Sequence, residues 1–192
     1  MRIGIYGGSF NPPHNGHKKV IETLISSGVL DKIYVVPTGR NYVKKGLEKF
    51  EHRRKMLDLA LIDVAGAEIV DIEDRDTQVY TYMTLDYFRE KNPSDEICFI
   101  MGSDNLLEFD TWKEAEYMMN NYSFVVIMRG QHKIENMGKY VSYKNIKFVE
   151  NLSTLASSDL RELLSSGKDI SQCVDIRVLD YIKANKLYVE QI

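Results

Sequence analysis

Short apolar runs alternate with amphipathic helical segments along most of this chain. The runs read, in order, RIGIY, KIYVVP, AEIVDI, EICFIMG, FVVIM and NIKFVE. Their β-branched and aromatic residues are typical of buried strands. Strands that alternate with helices are joined by right-handed crossovers, which makes the sheet mostly parallel and covers both of its faces. The sequence therefore predicts an α/β fold built on one doubly wound, mostly parallel sheet.

The helical segments carry their apolar residues on one side. Further helical stretches are predicted over 82–92, 105–120, 157–167 and 173–185, while Gly28 is placed to end the first helix. We expect a single domain over 1–192, with a small helical portion from about residue 155 to the end. The least regular pattern lies in 38–48 and 129–144. The predicted buried faces are Val20, Ile21, Leu24 and Ile25 in the first helix, and Met56, Leu57, Ala60, Leu61 and Val64 in the second.

Charge and cysteine content exclude several classes of protein. The 192 residues carry a net charge of -3 with a pI near 5.8, so no broad nucleic-acid surface or membrane attraction is expected. No apolar run approaches the roughly 18–20 residues of a membrane helix, and the N-terminus lacks the apolar region of a signal peptide. Cys98 and Cys173 lie far apart, which argues against a disulfide framework. These features predict a cytoplasmic protein.

The stretch GIYGGSFNPPHNGH follows the first predicted strand and leads into the first helix. Glycines at that corner allow positive φ and let the backbone approach a ligand, and the helix start attracts phosphate. His14 and His17 are three residues apart and lie on one side of the first turn. An imidazolium pair there can neutralise charge that develops in phosphoryl or nucleotidyl transfer, and Ser9 adds a hydroxyl donor.

Less specific interpretations of this stretch remain open. It could be only a tight turn, and the two histidines could be structural or could be a metal pair. The metal reading is weak because no third ligand is evident, so no protein-held metal is expected. The string is neither a Walker loop nor G-x-G-x-x-G. Glycines, a serine and two histidines at one strand-to-helix corner favour a phosphate-binding site.

The string GGSFNPPHNGH closely resembles the signature G-G-[ST]-F-[DN]-P-x-H-x-G-H of the nucleotidyltransferase superfamily. LASSDLR, at residues 155–161, resembles the superfamily's second signature, which opens a helix near the C-terminus. GSDNLLEFDTW, VYTYMTLDYF, VIMRG and VLDYIKANKLY are similar to segments of bacterial nicotinate-mononucleotide adenylyltransferases. The resemblance spans nearly the whole chain, and its inner motifs indicate the nicotinate-nucleotide branch.

The resemblance implies a Rossmann-like adenylyltransferase of NAD biosynthesis. In that family the 5′-phosphate of the mononucleotide attacks the α-phosphorus of ATP in the presence of Mg²⁺, giving deamido-NAD and pyrophosphate. No covalent enzyme intermediate forms, which agrees with the lack of an evident activated nucleophile in this sequence. Positioning and charge stabilisation would then carry the catalysis.

The resemblance also assigns residues. His14 and His17 would be catalytic and contact the ATP phosphates. The remaining ATP contacts would be Gly8, Ser9, Phe10, Lys44, Lys45, Asp104, Ser157, Ser158 and Arg161, and the mononucleotide contacts Ser9, Phe10, Thr81, Trp112 and Arg129.

A helix start with hydroxyls and an arginine is independently suited to phosphate. Structural alternatives exist for several of these residues. Residues 157–162 could simply cap a helix through Ser158 or Asp159, with Glu162 near the capping-box position. Asp104 could be an N-cap, Trp112 a core residue and Arg129 a surface cation.

Four departures from the family pattern leave the substrate open. Ser158 replaces the usual threonine, Met83 an acidic or amide residue, and Lys113 a second aromatic residue. NYVKKGL, at residues 41–47, lacks the histidine of the bacterial P-P-H-[KR] and looks more like the loop of eukaryotic enzymes that accept both pyridine mononucleotides.

Lys44 or Lys45 could supply the missing phosphate contact. The alternatives are a nicotinamide mononucleotide or dual-specificity adenylyltransferase, phosphopantetheine adenylyltransferase, and a non-catalytic nucleotide-binding protein. A homo-oligomer is compatible with the sequence.

Overall fold

The computed structural model describes residues 1–150 and 155–189, which contain a six-stranded, all-parallel sheet. The strand order is β3-β2-β1-β4-β5-β6, so the direction of winding reverses between β1 and β4. In open α/β sheets, a ligand crevice lies outside the carboxyl ends of the strands at such a reversal. The strands are β1 Arg2–Gly8, β2 Lys32–Pro37, β3 Ala67–Ile69, β4 Glu96–Gly102, β5 Ser123–Ile127 and β6 Ile146–Val149.

Helices cover both faces of the sheet, as the alternating pattern predicted. Helices α1, α2, α6 and α7 pack on one face, and α3, α4 and α5 on the other. Alternate residues of β4 belong to opposite cores: Cys98 and Ile100 face the first group, and Phe99 and Met101 the second. The helices are α1 Asn15–Ser26, α2 Phe50–Leu61, α3 Thr81–Lys91, α4 Ser103–Leu107, α5 Ala115–Asn121, α6 Ser157–Ser165 and α7 Ile176–Ala184.

The predicted helix faces agree with the observed burial. Of the four residues predicted to be buried in the first helix only Ile25 is partly exposed, and all five predicted for the second are buried. Gly28 follows the last residues of α1 with φ +66° and donates its N–H to Ile25, as expected of a terminating glycine. No helix in the described part of the chain is long and apolar enough to cross a membrane.

Three predicted segments differ from the structure. The helical stretch predicted over 105–120 is broken into α4, a 3₁₀ turn at Phe109–Thr111, and α5, which begins after Glu114 at φ +58°. The break turns Phe109 and Trp112 inward, where their rings contact each other at a 5.6 Å centroid distance. The segment 129–144 is more regular than predicted, since it contains 3₁₀ helices at Ile134–Asn136 and Gly138–Ser142.

The predicted strand over 67–72 is also shorter, ending at Ile69.

Candidate active site

A cavity of about 720 Å³ lies at the carboxyl ends of β1 and β4, where the winding reverses. One of its walls is formed by the starts of α1 and α6, and the other by the start of α3 and residues 108–113. The predicted site residues on its lining are Gly8, Ser9, Phe10, His14, His17, Lys44, Thr81, Asp104, Trp112, Arg129, Ser157, Ser158 and Arg161. Lys45 is exposed and does not line the cavity, so of the two lysines only Lys44 reaches it.

The loop between β1 and α1 is shaped by Phe10 more than by its glycines. Strand β1 continues through Gly8, and the residue with positive φ is Phe10, at +45°. Its ring is 2% exposed, and a Cβ atom on Gly8 would lie 3.2 Å from it. The expected positive φ at the glycines is therefore wrong. Gly8 is needed because a larger residue would displace the buried ring. The following Asn11–Pro12 peptide bond is cis.

His14 and His17 cap the first helix with their own rings. His14 is the N-cap residue of α1, and its Nδ1 accepts the Gly16 N–H at 3.1 Å. His17 Nδ1 accepts the His14 N–H at 3.1 Å, and the two ring centroids lie 3.7 Å apart. Because each Nδ1 accepts a backbone proton, a neutral ring carries its hydrogen on Nε2. The H-x-x-H spacing thus fixes the tautomer of both rings.

Both imidazoles are neutral near pH 7 in the free protein. Loss of hydration lowers the pKa of His14 to about 4, and the positive charge of Arg129 acts in the same direction. The pKa of His17 is lowered well below its usual value, first by loss of hydration and then by His14 and Arg129. The free site therefore presents neutral N–H donors and not the imidazolium pair that the sequence suggested.

The two signature segments are joined by hydrogen bonds. Ser157 donates its hydroxyl to the Pro12 carbonyl at 2.9 Å, and Arg161 donates to the Asn11 carbonyl at 2.7 Å. These bonds place the start of α6 beside the start of α1. The capping alternative is wrong for this helix, because its N-cap residue is Ala156 and no side chain caps it. The hydroxyl of Ser158 instead contacts Asp159 at 3.2 Å.

Arg129 and Asp104 meet at the carboxyl ends of β4 and β5. The guanidinium of Arg129 lies 3.5 Å from the carboxylate of Asp104. The backbone N–H of Arg129 donates to the buried Ser103 hydroxyl at 3.0 Å. A Cβ atom on Gly102 would crowd the carboxylate of Asp104 and lie 2.8 Å from Nε of Arg129, so both side chains approach the backbone closely at this point. Gly102 is also the N-cap residue of α4, which rules out that role for Asp104. The Arg129 side chain is 42% exposed and lies on the cavity lining beside Asp104.

The loop that carries Lys44 is fixed at both ends. At one end, Arg40 forms a bidentate ion pair with Asp74, with distances of 2.8 and 2.6 Å. At the other end, Asn11 donates its side-chain N–H to the Gly46 carbonyl at 2.7 Å. The loop is thus linked to the histidine-bearing segment, which places Lys44 on the cavity lining.

The opposite wall contains an aromatic platform and an open helix start. Trp112 is half-buried, with its ring against Phe99 at a centroid distance of 6.1 Å, and it also lines the cavity. Thr81 is the first residue of α3, whose N-cap residue, Tyr80, makes no side-chain capping bond. The first N–H groups of a helix have no partner within the helix. This wall thus combines a flat apolar surface with uncapped N–H donors.

Sequence reasoning missed Arg53, a buried arginine below the cavity. Arg53 is fully buried. Its guanidinium donates hydrogen bonds to the carbonyls of Ser9, Thr38 and Glu48 at 2.9, 2.7 and 2.9 Å. No carboxylate in the described residues pairs with it. Its position in the sequence was informative, because residue 53 precedes Met56 by three and lies on the predicted apolar face of α2. A cation on an apolar stripe indicates a buried polar network.

Glu73 is a second residue that the sequence did not indicate. It lies on the cavity lining in an irregular segment, where Thr84 donates a hydroxyl hydrogen bond to it at 2.8 Å. Loss of hydration raises the pKa of Glu73 to about 7, against the weaker opposite effect of the Thr84 bond. Nothing in the pattern around residue 73 distinguishes it from an exposed loop carboxylate.

Within the described residues, no group of three or more histidine, cysteine, aspartate or glutamate side chains is arranged to hold a metal ion. The carboxylates that line the cavity are those of Glu73, Asp104 and Glu108.

We expect Arg53→Met to lower the free energy of unfolding by about 2–4 kcal/mol, because three buried carbonyls lose their donors. Chemical denaturation measures this change. Arg54→Met is the matched control, since Arg54 pairs with Asp58 and Asp71 near the surface and its loss should change stability by about 1 kcal/mol or less. Equal effects of the two substitutions would show that Arg53 stabilises the fold no more than Arg54 does.

We expect Glu73→Gln to stabilise the protein by about 1–3 kcal/mol at pH 8 and hardly at all at pH 4.5. The folded-state pKa of Glu73, about 7, lies above its usual 4.5. The folded protein therefore binds the extra proton between these values, and Glu73 makes folding less favourable as pH rises through them. Glutamine mimics the protonated carboxyl and keeps the Thr84 bond. A stability difference independent of pH, from urea titrations at several pH values, would contradict this.

Comparisons with known proteins agree over nearly the whole chain. Residues 5–166 match the cytidylyltransferase-like family. A probable nicotinate-nucleotide adenylyltransferase of Acholeplasma laidlawii is 31% identical, over 97% of this chain and 97% of its own. One of Fusobacterium nucleatum is 32% identical, over 99% of this chain and 100% of its own.

A solved structure resembles this one in fold as well. It is the Plasmodium falciparum nicotinic acid mononucleotide adenylyltransferase complexed with NaAD, with a TM-score of 0.87 and 26% identity, covering 98% of this chain and 97% of that one.

Proposed function

Because this chain belongs to the cytidylyltransferase-like family and to its nicotinate-nucleotide adenylyltransferases, we propose that it transfers the adenylyl group of ATP to nicotinate mononucleotide. The products are deamido-NAD and pyrophosphate, and the reaction belongs to NAD biosynthesis. The chain is thus an ATP-dependent nucleotidyltransferase with a Rossmann-like fold. We propose that it works as a single domain in the cytoplasm with small molecules as its partners, and a homo-oligomer remains compatible with this.

The observation that carries the proposal is the pair of fixed imidazoles beside the start of α6. Both rings line the cavity with Nδ1 occupied by the backbone, so Nε2–H is the donor that each ring has left. A binding protein gains little from two closely spaced donors of this kind, whereas a transferase uses them on charge that develops at the α-phosphate. In this proposal His14 and His17 are the catalytic residues.

Cationic and hydroxyl groups on the same wall suit the remaining phosphates of ATP. Arg161 lines the cavity one turn into α6, and Ser158 lies in its uncapped first turn. Lys44 adds an ammonium from the anchored loop in place of the histidine that bacterial relatives have there. Ser157 has a different role, because its hydroxyl hydrogen is donated to Pro12, so we propose that it positions α6.

The reaction needs no protein nucleophile. A 5′-phosphate oxygen of the mononucleotide attacks the α-phosphorus of ATP and forms the new P–O bond. The bond from that phosphorus to the α,β-bridging oxygen breaks, and pyrophosphate leaves with the electron pair. The protein contributes alignment and donors that already point to the charged oxygens, which lowers the barrier without reorganisation during the reaction.

We propose that Mg²⁺ arrives with ATP and is not held by a cage of protein ligands. Mg²⁺ commonly keeps several waters and is bound through substrate phosphates and one or two carboxylates. Asp104 and Glu108 provide carboxylates on the cavity lining, which fits this mode of binding. The chemistry that the ion supplies when bound is neutralisation of phosphate charge.

The opposite wall suits the mononucleotide. Trp112 offers a face for the pyridine ring, and Thr81 with the neighbouring N–H groups of α3 can accept the nicotinate carboxylate. The Arg129 backbone is bonded to Ser103, and its guanidinium lies on the cavity lining, where it can meet a phosphate. Gly8, Ser9 and Phe10 lie between the two nucleotides in this arrangement, and Asp104 can accept hydrogen bonds from a ribose.

A dual-specificity enzyme is the second candidate. The loop 41–47 supports it, because its sequence resembles that of eukaryotic enzymes that use both pyridine mononucleotides. This loop contacts the wall of α1, however, and the pyridine substituent is expected at the wall of α3.

Pyrophosphate release with ATP and Mg²⁺ tests the proposal directly. We expect rapid release with nicotinate mononucleotide and much slower release with nicotinamide mononucleotide. Similar rates would support the dual-specificity enzyme. Release with neither would contradict the proposed function, and pantetheine phosphate is then the next substrate to assay.

Replacing His17 separates its catalytic donor from its role in the helix cap. We expect His17→Asn and His17→Ala to lower kcat by roughly 10²–10⁴-fold, because each lacks the Nε2–H donor. Asparagine retains an acceptor for the His14 N–H, so its unfolding curve should stay close to that of the wild type. His52→Asn is the control, since His52 contacts Tyr181 outside the cavity. Unchanged turnover in His17→Asn would remove His17 from the mechanism.

A further inference from the structure

Lys113 is a cavity residue to which neither the sequence nor the proposed mechanism gives a task. It follows Trp112, is exposed, and lines the cavity beside the start of α3. In the described part of the chain, no carboxylate lies within ion-pair distance of its ammonium group. Its charge is therefore available to a ligand of the cavity.

The position of the ammonium group is defined by an aromatic ring. Lys113 Nζ lies 4.7 Å from the ring centroid of Tyr80, a distance typical of a cation–π contact. Tyr80 is the N-cap residue of α3, and its ring stacks on that of Tyr82 at a centroid distance of 6.3 Å. The ring contact keeps the lysine at the beginning of the helix.

Two sources of positive potential therefore meet at this wall. The start of α3 has the partial positive charge of its uncapped N–H groups, and Lys113 adds a full charge next to it. The carboxyls of this wall that could oppose an anion are those of Glu108 and of Glu73, which is bonded to Thr84 in the first turns of α3. The pKa of Glu73 is raised to about 7 by loss of hydration, so much of Glu73 is protonated at neutral pH.

The two candidate mononucleotides differ in charge at one place only. Both have the same 5′-phosphate, but nicotinate has a carboxylate on the pyridine ring where nicotinamide has a neutral amide. A cation that contacts the phosphate affects both substrates equally. A cation next to a ring stacked on Trp112 attracts the carboxylate, which only nicotinate mononucleotide has. Lys113 is adjacent to that tryptophan.

We propose that Lys113 determines specificity for nicotinate mononucleotide over nicotinamide mononucleotide, through the attraction of its ammonium group to the ring carboxylate. The inference rests on the proposed function. It assigns to Lys113 the choice between the two mononucleotides, which the sequence of the loop 41–47 left open. It also explains why a lysine can replace a second aromatic residue after Trp112, since charge then compensates for a smaller stacking surface.

Steady-state kinetics of Lys113→Gln with both mononucleotides, at saturating ATP, test this inference. We expect the KM for nicotinate mononucleotide to rise about 5–20-fold with little change in kcat, and the kinetics with nicotinamide mononucleotide to stay the same. Lys113→Arg should keep the wild-type preference because it retains the charge. Added NaCl should raise the nicotinate KM of the wild type more than that of Lys113→Gln, because salt screens an exposed charge.

Lys91→Gln is the matched control. Lys91 is also exposed and lies 5.8 Å from a tyrosine ring, that of Tyr87, but at the other end of α3 and outside the cavity. We expect this variant to retain the wild-type ratio of kcat/KM between the two substrates. Thermal unfolding of all variants shows whether any change in KM reflects a folding defect.

The possible outcomes distinguish this inference from the proposed function. An unchanged substrate preference in Lys113→Gln, or an equal loss for both substrates, overturns the role of Lys113 and leaves the adenylyltransferase activity intact. Equal use of both substrates by the wild type also overturns it, because there is then no preference to explain. A wild type that uses neither substrate overturns the proposed function, and the inference with it.

Discussion

A buried guanidinium that donates to three backbone carbonyls and to the Thr38 hydroxyl holds the base of the cavity together. Arg53 links the segment after β1, the end of β2 and the approach to α2 through Ser9, Thr38 and Glu48. Burial lowers the pKa of Arg53, but a guanidinium remains charged in proteins, so this positive charge persists beneath a site that binds anions. Removing it would leave several partly buried acceptors unsatisfied at once, so it ties the loops around it to one another.

Asn11 extends this network to the remaining parts of the site. Its side-chain oxygen accepts from the Glu48 N–H and the Tyr188 hydroxyl, its amide donates to Gly46, and its backbone carbonyl accepts from Arg161. One buried residue thus connects the histidine segment to the lysine loop, to α6 and to the chain after α7. A site whose donors are fixed in this way is oriented before substrate arrives, which is what electrostatic catalysis requires.

The sequence predicted the elements of the fold well, and all of its candidate site residues except Lys45 line one cavity, because both follow from local patterns. Buried parallel strands and amphipathic helices have characteristic compositions. A histidine pair at a strand-to-helix corner can be recognised from a short stretch of sequence. What it did not predict depends on tertiary contacts. The break at Glu114 follows from inward packing of Phe109 and Trp112, and the neutral state of the histidines from desolvation and Arg129. The role of Glu73 depends on burial that no local pattern reveals.

The hydrogen bonds from Ser157 to Pro12 and from Arg161 to Asn11 join residues that are 145 and 150 positions apart. Contacts of such long range form late, because the intervening chain must first be ordered. During synthesis, the ribosome releases the histidine segment long before α6 exists to complete the phosphate-binding wall. A nascent or truncated chain that lacks α6 therefore lacks one wall of the active site. Catalysis can begin only after α6, the second-last helix of the described chain, has been synthesised and has packed beside α1.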